Sequence, residues 1–235
     1  MDNSEKAFKN ITKKHQPRGL NILYEDKDII VVDKMSGLLT ISTDSIKDNT
    51  AYYRLNHYVR KGNQKSRNQV FIVHRLDRDT SGLLVFAKSE TAKRFLQDEW
   101  HKFSKTYSAV ICGTLVEKEG IISSYLTENS AHRVYSVNDS SKGKFAKTGY
   151  KVLRESAKYS LLEIALFTGR KNQIRVHFAE KGFPLAGDKI YGIKDDGAKR
   201  LMLHASTLTI LHPFSKVEMT FKAEIPASFN SLLGR

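Results

Sequence analysis

Short apolar runs separated by polar turns recur along this chain, and most have the length of a strand rather than a helix. Ile29-Ile30-Val31-Val32 predicts a buried strand, ended by Asp33-Lys34 and the turn-forming pair Ser36-Gly37. Residues 70–73 and 83–87 predict two more, on either side of a charged turn. Further strands are expected over 107–111, where Gly113 ends the run, and over 159–167 and 207–211. From Val217 to Ile225 apolar and polar residues alternate, the pattern of a strand with one wet face.

Three windows follow the helical period instead. In 50–60 the residues Ala51, Leu55, Tyr58 and Val59 recur at helical spacing, and Gly62-Asn63 stops them. Ser89 can cap a helix to about Lys102, whose stripe of Ala92, Leu96, Trp100 and Phe103 assigns Trp100 to the core. After Gly169 a helix can begin on which Ile174, His177 and Phe178 face inward until Gly182. The polar stretch 120–159 predicts hairpins and a flexible basic loop around Lys142, Lys144 and Lys147. Many strands with few helices give an α+β class, a mixed and largely antiparallel sheet flanked by helices and loops. Residues 1–19, closed by Pro17 and Gly19, predict a basic polar arm, and 20–235 a single folded domain.

Composition narrows the function. The 235 residues carry 39 Lys and Arg against 25 Asp and Glu, a formal charge of +14 that exceeds what solubility requires and suits a polyanionic partner. No apolar run reaches the length of a membrane span, and Asp2, Glu5, Lys6 and Lys9 leave no apolar signal core at the start. The single cysteine, Cys112, permits no intrachain disulfide. A cytoplasmic, monomeric protein without membrane association is expected.

Motifs exclude several chemistries. The chain has no Gly-x-Gly-x-x-Gly, no phosphate loop ending in Lys-Ser/Thr, no Gly-x-Ser-x-Gly and no His-Glu-x-x-His. Its histidines and lone cysteine form no spaced ligand set, so neither metal nor cofactor is expected. Basic residues cluster at Arg54, Arg60, Lys61, Lys65, Arg67, Arg75 and Arg78, with Asp77 the one acid among them. Such a patch attracts phosphates or serves as an ordinary solvated surface.

Two polar constellations stand out. In His74-Arg75-Leu76-Asp77-Arg78-Asp79-Thr80-Ser81-Gly82 a carboxylate lies between arginines, which favour its charged form and suit it to act as nucleophile or base. A turn carboxylate that caps its own backbone would use the same residues. In Thr168-Gly169-Arg170-Lys171-Asn172-Gln173-Ile174-Arg175-Val176-His177 a helix start gathers N–H groups and cations, a natural anion site. Arg175 adjoins the buried stripe; if partly buried it needs a partner, which an active-site carboxylate would supply, and otherwise it is a surface arginine.

With Lys105-Thr106-Tyr107 between them, these segments resemble the signature motifs of RluA-like RNA pseudouridine synthases. Further matches are Gly182-x-Pro184-x-x-Gly187-Asp188-x-x-Tyr191-Gly192, Leu203-His204-Ala205 and His212-Pro213. The resemblance runs from about Leu20 to Ile225. It implies the pseudouridine synthase catalytic fold and isomerisation of uridine to pseudouridine in RNA: the glycosidic bond to N1 breaks, the uracil turns, and a bond to C5 forms.

By that likeness Asp77 is the essential nucleophile, acting at ribose C1′, at base C6, or on a ribosyl species after glycal formation. Tyr107 would stack on the target uracil and could take the C5 proton, although a tyrosine hydroxyl near pKa 10 is a poor base at neutral pH. Arg175 would be the basic partner of the carboxylate, Ile174 an apolar neighbour of the base, and Arg75 the residue that fills the helix where the uridine leaves. His74, Thr80, Arg170, Asn172 and Leu203 would complete the substrate contacts. A target inside a duplex is out of reach of Asp77, so loop uridines are the cheapest to extract.

Departures from the pattern accompany the match. Lys34-Met35-Ser36-Gly37 replaces the common Lys-Pro-x-Gly, an early turn expected to touch no catalytic residue. Asn172 stands where histidine is common, so its contact should differ. The short segment before the first strand predicts a form without the N-terminal S4-like RNA-binding domain, leaving a local stem-loop in ribosomal or transfer RNA as the substrate. Two competing readings are an RNA-binding module without catalysis and a metal-dependent hydrolase using Asp77 and Asp79.

Overall fold

In a computed structural model, residues 16–42, 48–63 and 65–234 are described. Most of the predicted N-terminal arm, residues 1–15, lies outside them. The chain forms two compact units, one comprising residues up to Trp100 with Ile210–Phe221, the other His101–Thr209 with the segment from Lys222 onward.

The first unit is built on strands β1 (Leu20–Glu25), β2 (Ile29–Lys34), β3 (Phe71–Ile72) and β4 (Ser81–Ala87). β2 lies antiparallel between β1 and β4, and β3 also pairs antiparallel with β4. All seven residues of β4 are buried, which explains its continuous apolar run. β3 is shorter than the apolar stretch 70–73 predicts, because the charged segment that follows leaves the ladder. Helix α1 (Ala51–Val59) starts where Thr50 Oγ1 accepts from Tyr53 N–H at 3.1 Å, and it buries Ala51, Leu55 and Val59.

Helix α2 (Glu90–Asp98) is capped by Ser89, whose Oγ accepts from Ala92 N–H at 3.1 Å. It ends four residues earlier than the stripe predicts. Trp100 therefore follows the helix, half-buried, and its ring stacks on His74 with centroids 4.2 Å apart. The core position expected of it is corrected: the indole packs on one face against an imidazole. The wet-faced strand near the end of the chain is β11 (Glu218–Lys222), shorter than the alternation over 217–225.

The second unit is an antiparallel sheet of β5 (Ser104–Cys112), β6 (Glu119–Glu128), β7 (Val134–Val137), β8 (Lys144–Glu155), β9 (Tyr159–Leu166) and β10 (Leu203–Leu211), in the order β10-β5-β9-β8-β6-β7. The polar stretch 120–159 forms hairpins as expected, and Lys142 lies in the connection between β7 and β8, but the other two lysines expected in a loop do not. Lys144 and Lys147 are residues of β8, in register with Leu126 and Ser123 of β6. Polar side chains on a strand with one wet face read as a loop when composition outweighs period.

Helix α3 (Gln173–Glu180) buries every residue from Gln173 to Phe178, more than the one face its apolar residues predict. Its polar members can be buried because each has hydrogen-bond partners. Ala109, Ile111, Leu162, Ile164, Ile174, Phe178 and Leu203 form part of one core between α3 and the sheet. A last helix, α4 (Ala227–Leu233), which the sequence reading missed, seats Phe229 and Leu233 against Val110 and Met202.

Candidate active site

The turn that carries Asp77 is pinned from below by the turn after β2. Lys34 is fully buried, and its ammonium donates to the carbonyl oxygens of Met35 at 3.0 Å, Leu38 at 2.8 Å and Arg78 at 3.1 Å. Gly37 N–H also donates to Arg78 O, at 2.8 Å, and Ser36 Oγ donates to Asp79 O at 2.6 Å. On the other flank Thr40 Oγ1 donates to Leu76 O at 2.8 Å and accepts from Leu76 N–H at 3.2 Å. Backbone groups of Leu76, Arg78 and Asp79, on both sides of Asp77, are thus tied to the segment 34–40. The turn Lys34–Gly37, expected to touch no catalytic residue, bonds Arg78 and Asp79, the two residues that follow Asp77.

Within this frame Asp77 itself stays half-exposed, and its carbonyl accepts from the N–H of buried Thr80 at 3.2 Å. Arg78 turns away to pair with Asp79 at 3.1 Å, so the flanking cation closest in sequence is occupied. Arg75 is exposed. His74 Nε2 accepts from Val85 N–H at 3.1 Å, which fixes the ring on β4 as well as on Trp100. The turn presents Asp77 and Arg75 beside the exposed Arg78–Asp79 pair.

In the second unit, Tyr107 is held in the middle of β5, opposite Ile164 of β9 and Ala205 of β10. The register of β10 slips beside it, with Ser206 as the extra residue and its Oγ donating to Thr106 O at 3.2 Å. Such bulges re-aim neighbouring side chains. Tyr107 packs half-buried against the core that contains Ile174 and Leu203, so these three predicted residues are brought together. Burial pulls the Lys105 ammonium below its ordinary value.

At the start of α3, Asn172 adopts a left-handed backbone with φ 53°, and the helix is closed by Gln173. Gln173 Oε1 accepts from Arg170 N–H at 3.1 Å and from Thr168 Oγ1 at 2.7 Å. The anion site expected at this helix start is therefore partly filled by the chain's own amide. Arg170, exposed, donates from Nε to Phe145 O at 3.0 Å.

Arg175 is 6% exposed and meets a carboxylate, Asp188, through Nε–Oδ2 and Nη2–Oδ1 contacts of 2.7 Å each. Burial raises the Asp188 carboxyl, but the hydrogen bonds and charge of Arg175, with N–H groups of Tyr191 and Ile190, outweigh it and hold the group below the usual range. Arg175 Nη1 also donates to Asn172 Oδ1 at 3.2 Å, and Asn172 Nδ2 donates to Tyr191 Oη at 3.2 Å. The Arg175 guanidinium lies 5.2 Å from the Tyr191 ring centroid. Asn172 thus links arginine to tyrosine, a role open to an amide that both donates and accepts.

Asp188, Tyr191 and Lys34 were not singled out from the sequence. The first two stand inside a matched motif, and the need of a buried arginine for a carboxylate was the signal that could have found Asp188. One group of metal-type ligands occurs among the described residues, Asp26, Asp28 and His212. His212 Nε2 and Asp26 Oδ2 already bond at 2.8 Å.

The RNA pseudouridylate synthase family model matches residues 28–180. The chain belongs to this family. It is 34% identical to an uncharacterized RNA pseudouridine synthase of Mycoplasma pneumoniae over 98% of this chain and 75% of that one. It is 33% identical to ribosomal large subunit pseudouridine synthase D of Blochmanniella floridana, over 91% of this chain and 72% of that protein. Among solved structures, human RNA pseudouridylate synthase domain containing 1 superposes with a TM-score of 0.74 at 27% identity, covering 91% and 87% of the two chains. This RNA pseudouridine synthase therefore carries the fold and isomerase activity that the three motifs implied, with its antiparallel sheets and flanking helices in the expected class.

Proposed function

We propose that this RNA pseudouridine synthase isomerises a loop uridine in structured ribosomal or transfer RNA, with Asp77 as nucleophile. What supports the assignment of Asp77 is its setting: a half-exposed carboxylate on a turn whose neighbours on both sides are fixed to 34–40. A nucleophile gains from such a frame because no reorganisation is needed when the reacting carbon arrives. A ribosomal address is supported by the name of the Blochmanniella relative and a structured RNA by the +14 charge.

In the reaction, the bond from N1 to C1′ breaks, the uracil rotates, C5 bonds to C1′, the C5 proton leaves and N1 ends protonated. Nothing is oxidised and no water is consumed. Asp77 holds the ribosyl or base carbon during rotation, Tyr107 stacks on the ring, and Arg175 is the site's fixed cation. Ile174 and Leu203 shape the apolar wall beside Tyr107. His74, Thr80, Arg170 and Asn172 act through the loops they hold, and Arg75 fills the place the uridine vacates.

The test is Asp77→Asn, assayed by tritium release from RNA labelled at uridine C5 and by RNA binding. The expected result is complete loss of release with binding retained, since one carboxylate contributes little to phosphate contacts. Retained release would remove Asp77 from the mechanism. Mapping pseudouridines in total RNA of cells with and without the gene decides between ribosomal and transfer RNA.

A further inference from the structure

Part of the basic stretch found in the sequence is not absorbed by the site at Asp77. In the first unit it lines a cleft of about 1170 Å³ between the end of α1, the segment leading into β3 and the start of α2. Lys27, Lys61 and Arg67 stand on its rim, all exposed. Its acids are already neutralised: Glu25 accepts from Lys88 at 2.8 Å and from Tyr58 Oη at 2.9 Å, and Glu90 pairs with Lys93 at 2.9 Å. Lys61 and Arg67 pair with no carboxylate among the described residues, while Lys27 sits 3.9 Å above the exposed Phe214 ring, which leaves its charge intact. The net field in the cleft is positive.

We propose that this cleft binds the phosphodiester backbone of single-stranded RNA flanking the target uridine. The inference rests on RNA being the substrate, and it adds a second contact for that RNA. Charge alone would suit any polyanion, but half-buried Phe71 and Tyr58 and exposed His57 line the same cleft. Cations beside ring faces are the combination that holds unpaired nucleotides.

Position supports the assignment. β4 begins at Ser81, next to the Asp77 turn, and ends at Ala87, immediately before the cleft residues Lys88 and Ser89. Seven strand residues separate the two ends by about 20 Å. β3 runs antiparallel to β4 with Phe71 opposite Ala87, so Arg67–Phe71 is at the cleft end, while Asp77 lies by the start of β4, its carbonyl bonded to Thr80. A ligand that engages both ends of this strand must be a polymer extending several nucleotides beyond the modified one.

The experiment uses the full chain and fluorescent oligouridylates of 5 and 20 nucleotides, with affinity measured by anisotropy across a salt series. The variant Lys27→Gln/Lys61→Gln/Arg67→Gln is compared with Lys118→Gln/Lys158→Gln/Lys199→Gln, which removes the same charge from the second unit. The cleft variant should bind the 20-mer about tenfold more weakly, and its log K against log salt slope should fall by about 2, as for three lost single-strand phosphate contacts. The 5-mer should distinguish the two variants far less. Equal losses in both triple variants, an unchanged salt slope, or tighter binding of a 20-base-pair duplex by wild type through these residues would overturn the proposal. Tritium release by wild type is measured in parallel; its failure would count against the substrate reading, while the slope difference would still report on the cleft.

Discussion

Arg175 and Asp188 form a fork-to-fork ion pair, two contacts of 2.7 Å between side chains that are 7% and 0% exposed. Geometry of this quality is what allows a buried pair to offset its desolvation, and removing one partner strands the other charge. Asp188→Asn should therefore cost about 3–5 kcal/mol. Thermal unfolding would show a fall on the order of 10 °C for a chain of this size. Replacing both members by well-packed apolar residues should recover much of that stability but not the activity, which separates the cation's chemical role from its packing. The Asp188 carboxyl is held below its unfolded value, so its contribution is complete above about pH 4 and is lost as pH falls through the lower, folded value.

Lys34 gives a second prediction. Lys34→Met fills the same space but leaves the Met35, Leu38 and Arg78 carbonyls without their shared donor. Arg78 O keeps the Gly37 N–H, but a buried acceptor left unsatisfied, as Leu38 O would be, costs about 1–3 kcal/mol. Because Arg78 follows Asp77, the turn should lose its fixed position: kcat is expected to fall at least tenfold with KM changed much less. Ser36→Ala, which removes one bond to Asp79 O, should cost about 1 kcal/mol and a smaller part of kcat. Equal effects on kcat and KM for Lys34→Met would show that the residue supports the fold without positioning the carboxylate.

The strands around this brace were legible because Ile29–Val32 of β2 and Leu83–Ala87 of β4 are unbroken apolar runs, and such runs have few alternatives. Two helices were equally plain, one from the spacing of Ala51, Leu55, Tyr58 and Val59 and the other from its cap at Ser89. The brace itself was not, since a lysine after a strand reads as solvent-exposed until its three carbonyl acceptors are seen. For the same reason α3 was under-read: Gln173 and Arg175 lie off the inward stripe of Ile174, His177 and Phe178, yet both are buried with partners from distant strands or loops. Lys144 and Lys147 misled in the opposite direction, their charge hiding the strand period of β8. Motif spacing identified the chemistry at Asp77 and Tyr107, but a one-dimensional pattern carries no record of which buried cation meets which carboxylate.

His177 and His204 predict how the protein responds to mild acid. Burial pulls each imidazole down to about 4, with the Arg200 charge adding to the effect at His204. His177 is 1% exposed and bonds Thr148 Oγ1 at 2.9 Å and Ser124 Oγ at 3.0 Å. Between about pH 6.5 and 4 the unfolded chain binds protons that the folded one refuses, so stability is full above 6.5 and falls as pH drops. The gap corresponds to about 3 kcal/mol per histidine as an upper figure. Urea unfolding at pH 7.5, 6 and 5 should show a progressive loss, and His177→Gln should flatten that dependence while lowering stability at pH 7.5. A pH profile unchanged by the substitution would mean that His177 is not a source of the acid sensitivity.

Tyr107 separates stacking from proton transfer. Its place at the centre of β5, between β9 and β10, means that loss of the hydroxyl alone should leave the strand and its packing intact. Tyr107→Phe retains the ring, and if stacking is the main contribution its kcat/KM should stay within about threefold of wild type. Tyr107→Ala removes the ring and should lose about 1–3 kcal/mol of base contact, roughly ten- to hundredfold in kcat/KM. Tritium release under single-turnover conditions makes the comparison direct, because it follows departure of the C5 hydrogen itself. If the phenylalanine variant falls as far as the alanine variant, the hydroxyl has a part in that departure and the ring does not account for the residue's place in the site.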